Sequence, residues 1–490
     1  MALTWRVGSL AAVGALVVGL AMPSWAGVFT VLGLLLVGVL ADLALAGSVR
    51  TLELSRTGDT SVRLGDTANV SLLIGNPSGR RVRALVRDAW PPSAGLQTAP
   101  AAAGHDGSLA GRAWAKLVGT PQSTVAVSRI GVRRAADPTL AHPRHRVDIP
   151  AGERRRVESV LRPYRRGDRH ADRVTVRSFG PLGLAARQRS LTAPWRVRAL
   201  PPFASRRHLP SRLARLRELD GRTSLLVRGQ GTEFDSLRDY VAGDDLRSID
   251  WRATARRRVG DHYDVVVRTW RPERDRHILV VLDTGRTAAG RIGKTEGLEE
   301  LGSDGIRLDA ALDAALLLTA LAVRAGDRVD LLAYDRRVRA AVTRAAPTQT
   351  LARFTEAMAV LEPELVELDA RALVTTILKR APQRSLIVLL TSLDAAPMAE
   401  GLLPVISLLT RRHEVLVASV ADPRIEEMAR GRTDATAVYE AASAERAKAD
   451  RRQVADLLAK RRVTVVDAPP DHIAPALADA YLALKAAGRL

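Results

Sequence analysis

Acidic and basic side chains are interleaved between residues 228 and 257, in a chain that elsewhere is dominated by Ala, Leu, Val and Arg. The acids are Glu233, Asp235, Asp239, Asp244, Asp245 and Asp250. The arginines are Arg228, Arg238, Arg247, Arg252 and Arg256. A carboxyl group that acts as a general acid needs a raised pKa, whereas a neighbouring guanidinium lowers the pKa. Because each acid has an arginine nearby, we expect a structural or docking network and no catalytic residue.

Other side chains of this segment suit a surface that binds a partner. Gly231 and Gly243 allow turns, and Tyr240 and Trp251 are amphipathic anchors. Asp250 is predicted to cap a short helix that begins at the next residue. One alternative stays open: a metal-dependent hydrolase would use an acid cluster within 244–262, formed by Asp244, Asp245, Asp250 and His262.

A second candidate site follows the apolar run 276–285. Asp283 and Thr287 lie at the C-terminal end of this run. Ligands of open α/β sheets bind at the carboxyl ends of the parallel strands. Carboxylate and hydroxyl oxygens are ligands that suit Mg²⁺. Asp283 and Thr287 are therefore the candidate metal ligands.

The elements around Asp283 predict an α/β domain over residues 277–490. Apolar runs typical of buried strands alternate with helical patterns, which predicts a doubly wound, mostly parallel, Rossmann-like sheet. The two strands that meet at Asp335 and Arg336 are too close for a crossover, so they must form an antiparallel hairpin. Residues 206–276, which include the charged segment, lead into this domain.

Residues 49–205 predict an all-β sandwich domain. Apolar and polar residues alternate in 63–91 and again in 144–189, and turn sequences such as Asn-Pro-Ser-Gly separate the runs. The stretch 93–142 between them is rich in Ala, Gly and Pro, which predicts a loop-like insertion.

Two apolar runs within residues 1–48 predict a pair of transmembrane helices. The run 27–47 is long enough to span a bilayer, and the run 7–22 is shorter. The turn between them carries no charge, whereas Arg6 precedes the first run and Arg50 follows the second. The positive-inside rule therefore predicts a multi-pass protein of the plasma membrane whose soluble domains are cytoplasmic.

Two details of this N-terminal region have alternatives. A cleaved signal peptide would use Ser24-Trp25-Ala26 as its small-x-small cleavage site, but the second apolar run would still have to act as an anchor. Asp42 lies near the end of the second run, and we expect it at the membrane interface and not as a functional charge within the bilayer.

The composition limits the classes of partner. The formal net charge is +21, and 68 of the 74 basic residues are arginine. They are scattered along the chain, and aromatic residues make up only 4%, too few for platforms that stack nucleic-acid bases. We therefore expect no nucleic acid, and a basic surface that lies near anionic lipid. A binder of nucleic acid or anionic lipid remains the alternative.

The charged segment resembles the signature of a bacterial family known as domain-of-unknown-function family 58 (DUF58). The pattern is Gly-x-Glu-Phe, Leu-Arg-x-Tyr and Gly-Asp-Asp-x-Arg-x-Ile-Asp-Trp-x-Ala-Thr-Ala-Arg. The matching residues are Gly231, Glu233, Phe234, Leu237, Arg238, Tyr240, Gly243, Asp244, Asp245, Arg247, Ile249, Asp250, Trp251, Ala253, Thr254, Ala255 and Arg256. The expected interaction motif consists of Arg228, Gly231, Glu233, Arg238, Tyr240, Gly243, Asp244, Asp245, Arg247, Asp250, Trp251 and Arg256.

The resemblance implies a C-terminal von Willebrand factor A-like domain and a MoxR-type AAA+ ATPase as partner. Domains of this type often bind Mg²⁺ through Asp-x-Ser-x-Ser and a later acid. Here Gly285 replaces the first serine, and Ser392 stands where the later acid is expected. These departures favour a domain without a metal cofactor, in which Asp283 caps the following turn.

The sequence therefore predicts a membrane-anchored interaction protein that is not an enzyme. It would face the cytoplasm and assist an AAA+ ATPase in chaperone-like assembly or in an envelope or stress function. Nucleotide binding is left to the partner, because the chain has no Gly-x-x-x-x-Gly-Lys-Ser/Thr loop.

Overall fold

A computed structural model of the chain describes residues 2–21, 23–97, 144–226, 233–242, 244–256, 258–259, 262–271, 276–293 and 305–490. The chain divides into two compact units, Met1–Leu200 and Pro201–Leu490. The boundary lies five residues before the predicted one, and the charged segment belongs to the second unit.

The first unit begins with two apolar helices. They are α1 (Trp5–Ala21) and α2 (Trp25–Leu45), and Ser24 caps α2 by accepting a hydrogen bond from the Gly27 N–H at 3.2 Å. Within the described residues, α2 is the one helix that is long and apolar enough to cross a membrane, whereas α1 has 17 residues. One N-terminal membrane helix is thus consistent with the predicted anchor.

Ten strands of the first unit form two antiparallel-rich sheets. The strands are β1 (Ala2–Leu3), β2 (Glu53–Gly58), β3 (Ser61–Arg63), β4 (Ala68–Gly75), β5 (Val82–Asp88), β6 (Leu96–Gln97), β7 (Arg144–Ile149), β8 (Arg154–Leu161), β9 (Gly167–Phe179) and β10 (Ala185–Leu200). One sheet has the order β1-β10-β9-β5-β7, with β3 beside β10, and the other has the order β2-β4-β8-β6.

Alternating side chains of both sheets share one core. Leu72 and Ile74 of β4 lie in the same buried cluster as Val86 of β5 and Val174 and Val176 of β9. The alternation that predicted these strands thus brings every second side chain inward. The Asn-Pro-Ser-Gly turn connects β4 to a strand of the other sheet and does not close a hairpin.

The predicted insertion 93–142 is described only at its beginning. Residues Pro92–Ala94 form a single 3-10 turn and are followed by β6, which pairs with β8. The rest of the insertion lies outside the described residues.

The second unit contains ten helices and ten strands within its described residues. The helices are α3 (Leu209–Leu226), α4 (Trp251–Arg256), α5 (Arg307–Arg324), α6 (Pro347–Ala359), α7 (Ala370–Arg380), α8 (Ala395–Pro397), α9 (Ser407–Thr410), α10 (Pro423–Ala429), α11 (Ala435–Lys460) and α12 (Pro470–Ala486). The strands are β11 (Glu233–Asp239), β12 (Arg258–Val259), β13 (His262–Tyr263), β14 (Val266–Arg271), β15 (His277–Asp283), β16 (Arg328–Tyr334), β17 (Val338–Val342), β18 (Leu386–Leu390), β19 (Glu414–Val420) and β20 (Val463–Ala468).

The main sheet of this unit is mostly parallel. Its order is β17-β16-β15-β18-β19-β20, and β17 is the antiparallel edge strand. The predicted hairpin at Asp335 and Arg336 is confirmed. Ile278, Val280 and Leu282 of β15 face a core that includes α5 and α12, whereas Leu279 and Val281 face a core that includes α7 and α11. Helices therefore cover both faces, as expected for a parallel sheet with continuous apolar strands.

Candidate functional site

The charged segment and the strand β14 that follows it form a small substructure of the second unit. β11 and β14 pair as an antiparallel ribbon, and α4 lies between them in sequence. Val266 and Val267 of β14 are buried. Thr254 of α4 is buried too, and its hydroxyl accepts the Val266 N–H at 3.0 Å, which fixes the short helix against the strand.

Three acids of the segment are occupied by local hydrogen bonds. Asp244 accepts the Arg238 guanidinium at 2.5 Å and the Val241 N–H at 2.9 Å, and so closes the turn after β11. Asp245 accepts the Arg247 N–H at 3.0 Å and caps a 3-10 turn at Leu246–Ser248.

Asp250 has the most partners among these acids. One oxygen accepts the N–H groups of Arg252 (3.0 Å) and Ala253 (2.9 Å), and the other accepts Arg268 Nε at 2.7 Å. The predicted helix cap is therefore confirmed. The Ala253 N–H and the Arg268 guanidinium hold the pKa of Asp250 below its usual range. An ionised carboxylate that is bound in this way does not serve as a general acid.

The apolar side chains of the same segment face solvent. The exposed fraction is 61% for Val241, 66% for Leu246 and 68% for Trp251. Arg247, Arg252 and Arg256 are exposed as well. We call Val241, Leu246 and Trp251 the apolar patch. Large exposed apolar side chains that are flanked by arginines are typical of protein-binding surfaces.

The remaining predicted motif residues lie in or beside the parts of the charged segment that the structure does not describe. Arg228, Gly231 and Gly243 lie outside the described residues. Glu233 begins β11 and His262 begins β13, but only their backbone is described. Tyr240 is half-buried, and its N–H donates to the Val265 carbonyl at 2.8 Å.

The second predicted site lies at the carboxyl edge of the parallel sheet. Asp283 ends β15, and its carboxylate is buried. One oxygen accepts the Gly285 N–H at 2.8 Å. The other accepts hydroxyl groups of Thr287 (2.8 Å) and Thr391 (2.7 Å). Burial raises the pKa of Asp283, which these hydrogen bonds oppose. Asp283 thus holds the start of the loop after β15 through the Gly285 N–H.

A cavity of about 290 Å³ opens beside Asp283, between the loops that follow β15 and β18. These two strands are neighbours, but the chain turns in opposite directions from them, so the cavity is at the switch point of the sheet. Thr287, Thr391 and Ser392 line it, and so do the apolar side chains of Met398 and Leu402. The buried hydroxyl of Ser392 has no hydrogen-bond partner.

The donor set fits Mg²⁺ poorly. Asp283 is one carboxylate that already has three donors, and Ser392 supplies only a hydroxyl where a second acid was expected. The Arg286 guanidinium lies in the same cavity and pairs with Glu367 at 2.6 Å. No group of three His, Cys, Asp or Glu residues that could hold a metal occurs in the part of the chain that the structure describes.

The sequence did not predict a network of ion pairs that lies along this edge of the sheet. Asp394 pairs with Arg307 at 3.1 Å and with Arg451 of α11 at 3.4 Å, and Arg451 also binds Asp467 at 2.6 Å and the buried hydroxyl of Ser419 at 2.9 Å. Thr391 was missed as well. The position of Thr391 and Asp394 just after a buried strand is the signal that could have indicated both.

Two of the solved structures to which the chain is similar show how weak the structural likeness is. The chain has 10% identity to the CARDB domain of a Pyrococcus furiosus protein in complex with di-metal ions, with a TM-score of 0.17 over 32% of this chain and 91% of that one. It has 10% identity to a GH20 exo β-N-acetylglucosaminidase from Vibrio harveyi in complex with N-acetylglucosamine, with a TM-score of 0.14 over 70% of this chain and 57% of that one. No curated protein matches the chain.

The family comparison covers most of the charged segment and five of the six strands of the parallel sheet. The matched region runs from residue 236 in β11 to residue 460 at the end of α11, and therefore includes both candidate sites. Over residues 236–460 the chain matches the family described as "Protein of unknown function DUF58", so the DUF58 part of the resemblance is confirmed.

Proposed function

We propose that this chain is a membrane-anchored interaction protein whose docking surface is residues 233–271, which comprise the described part of the charged segment and the strand β14 that pairs with it. The observation that carries the proposal is that the polar and the apolar side chains of this segment have different surroundings. Asp244, Asp245 and Asp250 are bound to its own backbone and arginines, whereas the apolar patch faces solvent. A segment whose acids are used in internal hydrogen bonds and whose apolar side chains are exposed is suited to binding a partner protein and not to catalysis.

The partner that we propose is a MoxR-type AAA+ ATPase, with a role in chaperone-like assembly or in an envelope or stress function. The DUF58 match over 236–460 supports this choice, since the partner class follows from the resemblance of that region. The absence of a phosphate-binding loop from the sequence fits a chain that leaves ATP to its partner.

We assign the parallel sheet of the second unit to the von Willebrand factor A type. The antiparallel edge strand β17, the helices on both faces and the polar cavity at the switch point support this assignment. The replaced donors, Gly285 and Ser392, support a variant of that domain whose docking does not depend on Mg²⁺.

We also propose that both α1 and α2 cross the membrane as a hairpin. The start of α1 and the end of α2 contact the same turn of the β9–β10 hairpin. Thr4 donates to the Leu184 carbonyl at 3.1 Å, and Asp42 accepts the Leu184 N–H at 2.7 Å. These two contacts support a hairpin whose helix ends lie on one side of the bilayer. The positive-inside rule would make that side the cytoplasm.

A hydrolase centred on residues 244–262 is the alternative that the geometry favours less. Its three described carboxylates accept different donors, and within the described residues they are not part of any group of three His, Cys, Asp or Glu that could hold a metal. A hydrolase would need at least one of them to be available to substrate or metal.

The proposal is tested by measuring the affinity of a MoxR-type ATPase from the same genome for the full chain in lipid nanodiscs, with Mg²⁺ and ATP. We expect Leu246→Ser/Trp251→Ala to raise Kd about tenfold or more, because the double change removes two of the three side chains of the apolar patch. Val438→Ser/Tyr439→Ala is the matched control, since these exposed residues of α11 lie outside the segment.

Circular dichroism verifies that both variants fold. Equal Kd values for the patch variant and the wild-type chain would refute docking through 233–271. Absence of binding by the wild-type chain in every nucleotide state would refute the choice of partner.

A further inference from the structure

A buried carboxylate joins the apolar helix α2 to the β9–β10 turn. Asp42 has no solvent exposure, and it accepts the N–H groups of Leu182 (2.8 Å), Leu184 (2.7 Å) and Ala185 (2.8 Å). These contacts link residues that are 140 or more positions apart. The turn is therefore fixed at the end of the helix.

The N-terminal residues hold the same turn from the other side. Ala2 and Leu3 pair with Ala186 and Ala185 in the sheet, and the Thr4 hydroxyl donates to the Gly183 carbonyl at 2.7 Å. Gly183 has a φ of +68°, which disfavours any side chain. A Cβ at Gly180 would overlap the Asp42 carboxylate. The turn can thus approach both helix ends only because it has glycine at these two positions.

Three apolar side chains project from this junction. The exposed fraction is 67% for Leu3, 63% for Trp5 and 53% for Leu182. Leu3 and Trp5 lie at the start of α1, and Leu182 lies in the turn that contacts the end of α2. In a bilayer that α2 spans, the level of this junction is the boundary between acyl chains and headgroups, where Trp and exposed Leu are stabilised.

Two arginines flank the last turn of α2 at the same level. Arg187 Nε donates to the Leu43 carbonyl at 3.1 Å, and Arg80 Nη1 donates to the Ala44 carbonyl at 3.3 Å. Each guanidinium has five N–H groups, so one hydrogen bond to a helix carbonyl positions it and leaves further donors. The one carboxylate among these junction residues, Asp42, is enclosed by backbone N–H groups. The charge that the junction presents to a headgroup is therefore positive.

We infer that this junction is a binding site for the phosphate of an anionic phospholipid. Arg80 and Arg187 would take the phosphate, while Leu3, Trp5 and Leu182 would lie among the acyl chains beside it. Planar guanidinium groups bind phosphate oxygens in a bidentate manner. The inference rests on the membrane anchoring proposed above, but not on the ATPase partner.

The experiment compares thermal unfolding of the full chain in nanodiscs of phosphatidylcholine and in nanodiscs that also contain phosphatidylglycerol. We expect the anionic lipid to raise the melting temperature of the wild-type chain by several degrees at low salt, and the shift to shrink as salt is added. Arg80→Gln/Arg187→Gln should lose at least half of the shift. Each variant is compared with itself in the two kinds of nanodisc, so a general loss of stability lowers both melting temperatures and does not change their difference.

The matched control is Arg173→Gln/Arg196→Gln. Both arginines are exposed on β9 and β10, at the end of the hairpin away from the turn, and should keep the full shift. Glycerol phosphate added to phosphatidylcholine nanodiscs should give no shift, which separates a lipid headgroup from a free phosphate.

Equal shifts in both double variants, or no shift in the wild-type chain, would overturn the inference. A chain that does not enter phosphatidylcholine nanodiscs at all would overturn the membrane anchoring itself, and this inference with it.

Discussion

Asp313 is a half-buried carboxyl that joins the start of the second unit to α5. Its two oxygens accept the Ser205 N–H at 3.3 and 3.2 Å. Burial raises the pKa of Asp313 to about 6, and the hydrogen bonds from Ser205 oppose the rise only in part. The folded protein therefore binds a proton here that the unfolded chain releases at a lower pH.

This raised pKa predicts a pH dependence with a definite sign. The contribution of Asp313 to stability is complete below its unfolded pKa and is lost as pH rises through about 6. We expect Asp313→Asn, which keeps an acceptor for Ser205, to be more stable than the wild-type chain by about 1–2 kcal/mol at pH 7.5. The advantage should disappear near pH 4. Thermal unfolding of both chains between pH 4 and 7.5 measures the difference, and an advantage independent of pH would contradict the assignment.

Local sequence patterns predicted the role of Asp250 correctly, because the hydrogen bonds of this residue are local. Asp250 was predicted to cap a helix because its donors are two and three positions away, and the structure has those hydrogen bonds. The partners of Asp42 and Asp283 include residues more than 100 positions away. Such contacts depend on tertiary packing, which residue spacing does not encode, so the contact of Thr391 with Asp283 and that of the β9–β10 turn with Asp42 were not predicted.

At the level of elements, the second unit follows its sequence pattern closely. The seven residues of β15 are all buried, as the continuous apolar run predicts for a central parallel strand. The first unit follows its pattern less well. Alternation predicts β4 and β5 as strands, but it contains no information about the sheet to which each belongs, and they lie in different sheets.

Helix α11 is attached to the sheet through a buried guanidinium. Arg451 binds Asp467, Ser419 and Asp394. We expect Arg451→Met to destabilise the second unit by about 1–3 kcal/mol, because the Ser419 hydroxyl loses its partner in a buried position and Asp467 loses its cation. Amide exchange should accelerate along α11. Arg452→Met, at the exposed next position, is the control. Equal exchange rates in the two variants would show that the guanidinium does not hold the helix.

For the whole molecule, the decisive question is how the chain lies in the membrane. The chain has no cysteine, so a single introduced cysteine can be labelled without background. Ala26 is exposed between the two apolar runs, and Ala442 is exposed on α11. If α1 and α2 form a hairpin, Ala26→Cys should react with a membrane-impermeant maleimide on intact cells, and Ala442→Cys only after lysis.

The opposite labelling pattern would place the soluble units outside the cell. Labelling of neither position on intact cells would mean that α1 and α2 do not cross the bilayer together. In both cases the positive-inside argument from Arg6 and Arg50 would fail.

The central claim is that residues 233–271 are the surface that a partner ATPase binds. Hydrogen exchange of the full chain in nanodiscs, with and without the MoxR-type ATPase, tests this claim without any substitution. We predict slower exchange in 237–256, which contains the apolar patch, and unchanged exchange in the control helix α11. Protection that is confined to the loops after Asp283 and Thr391, or absent throughout, would contradict the claim.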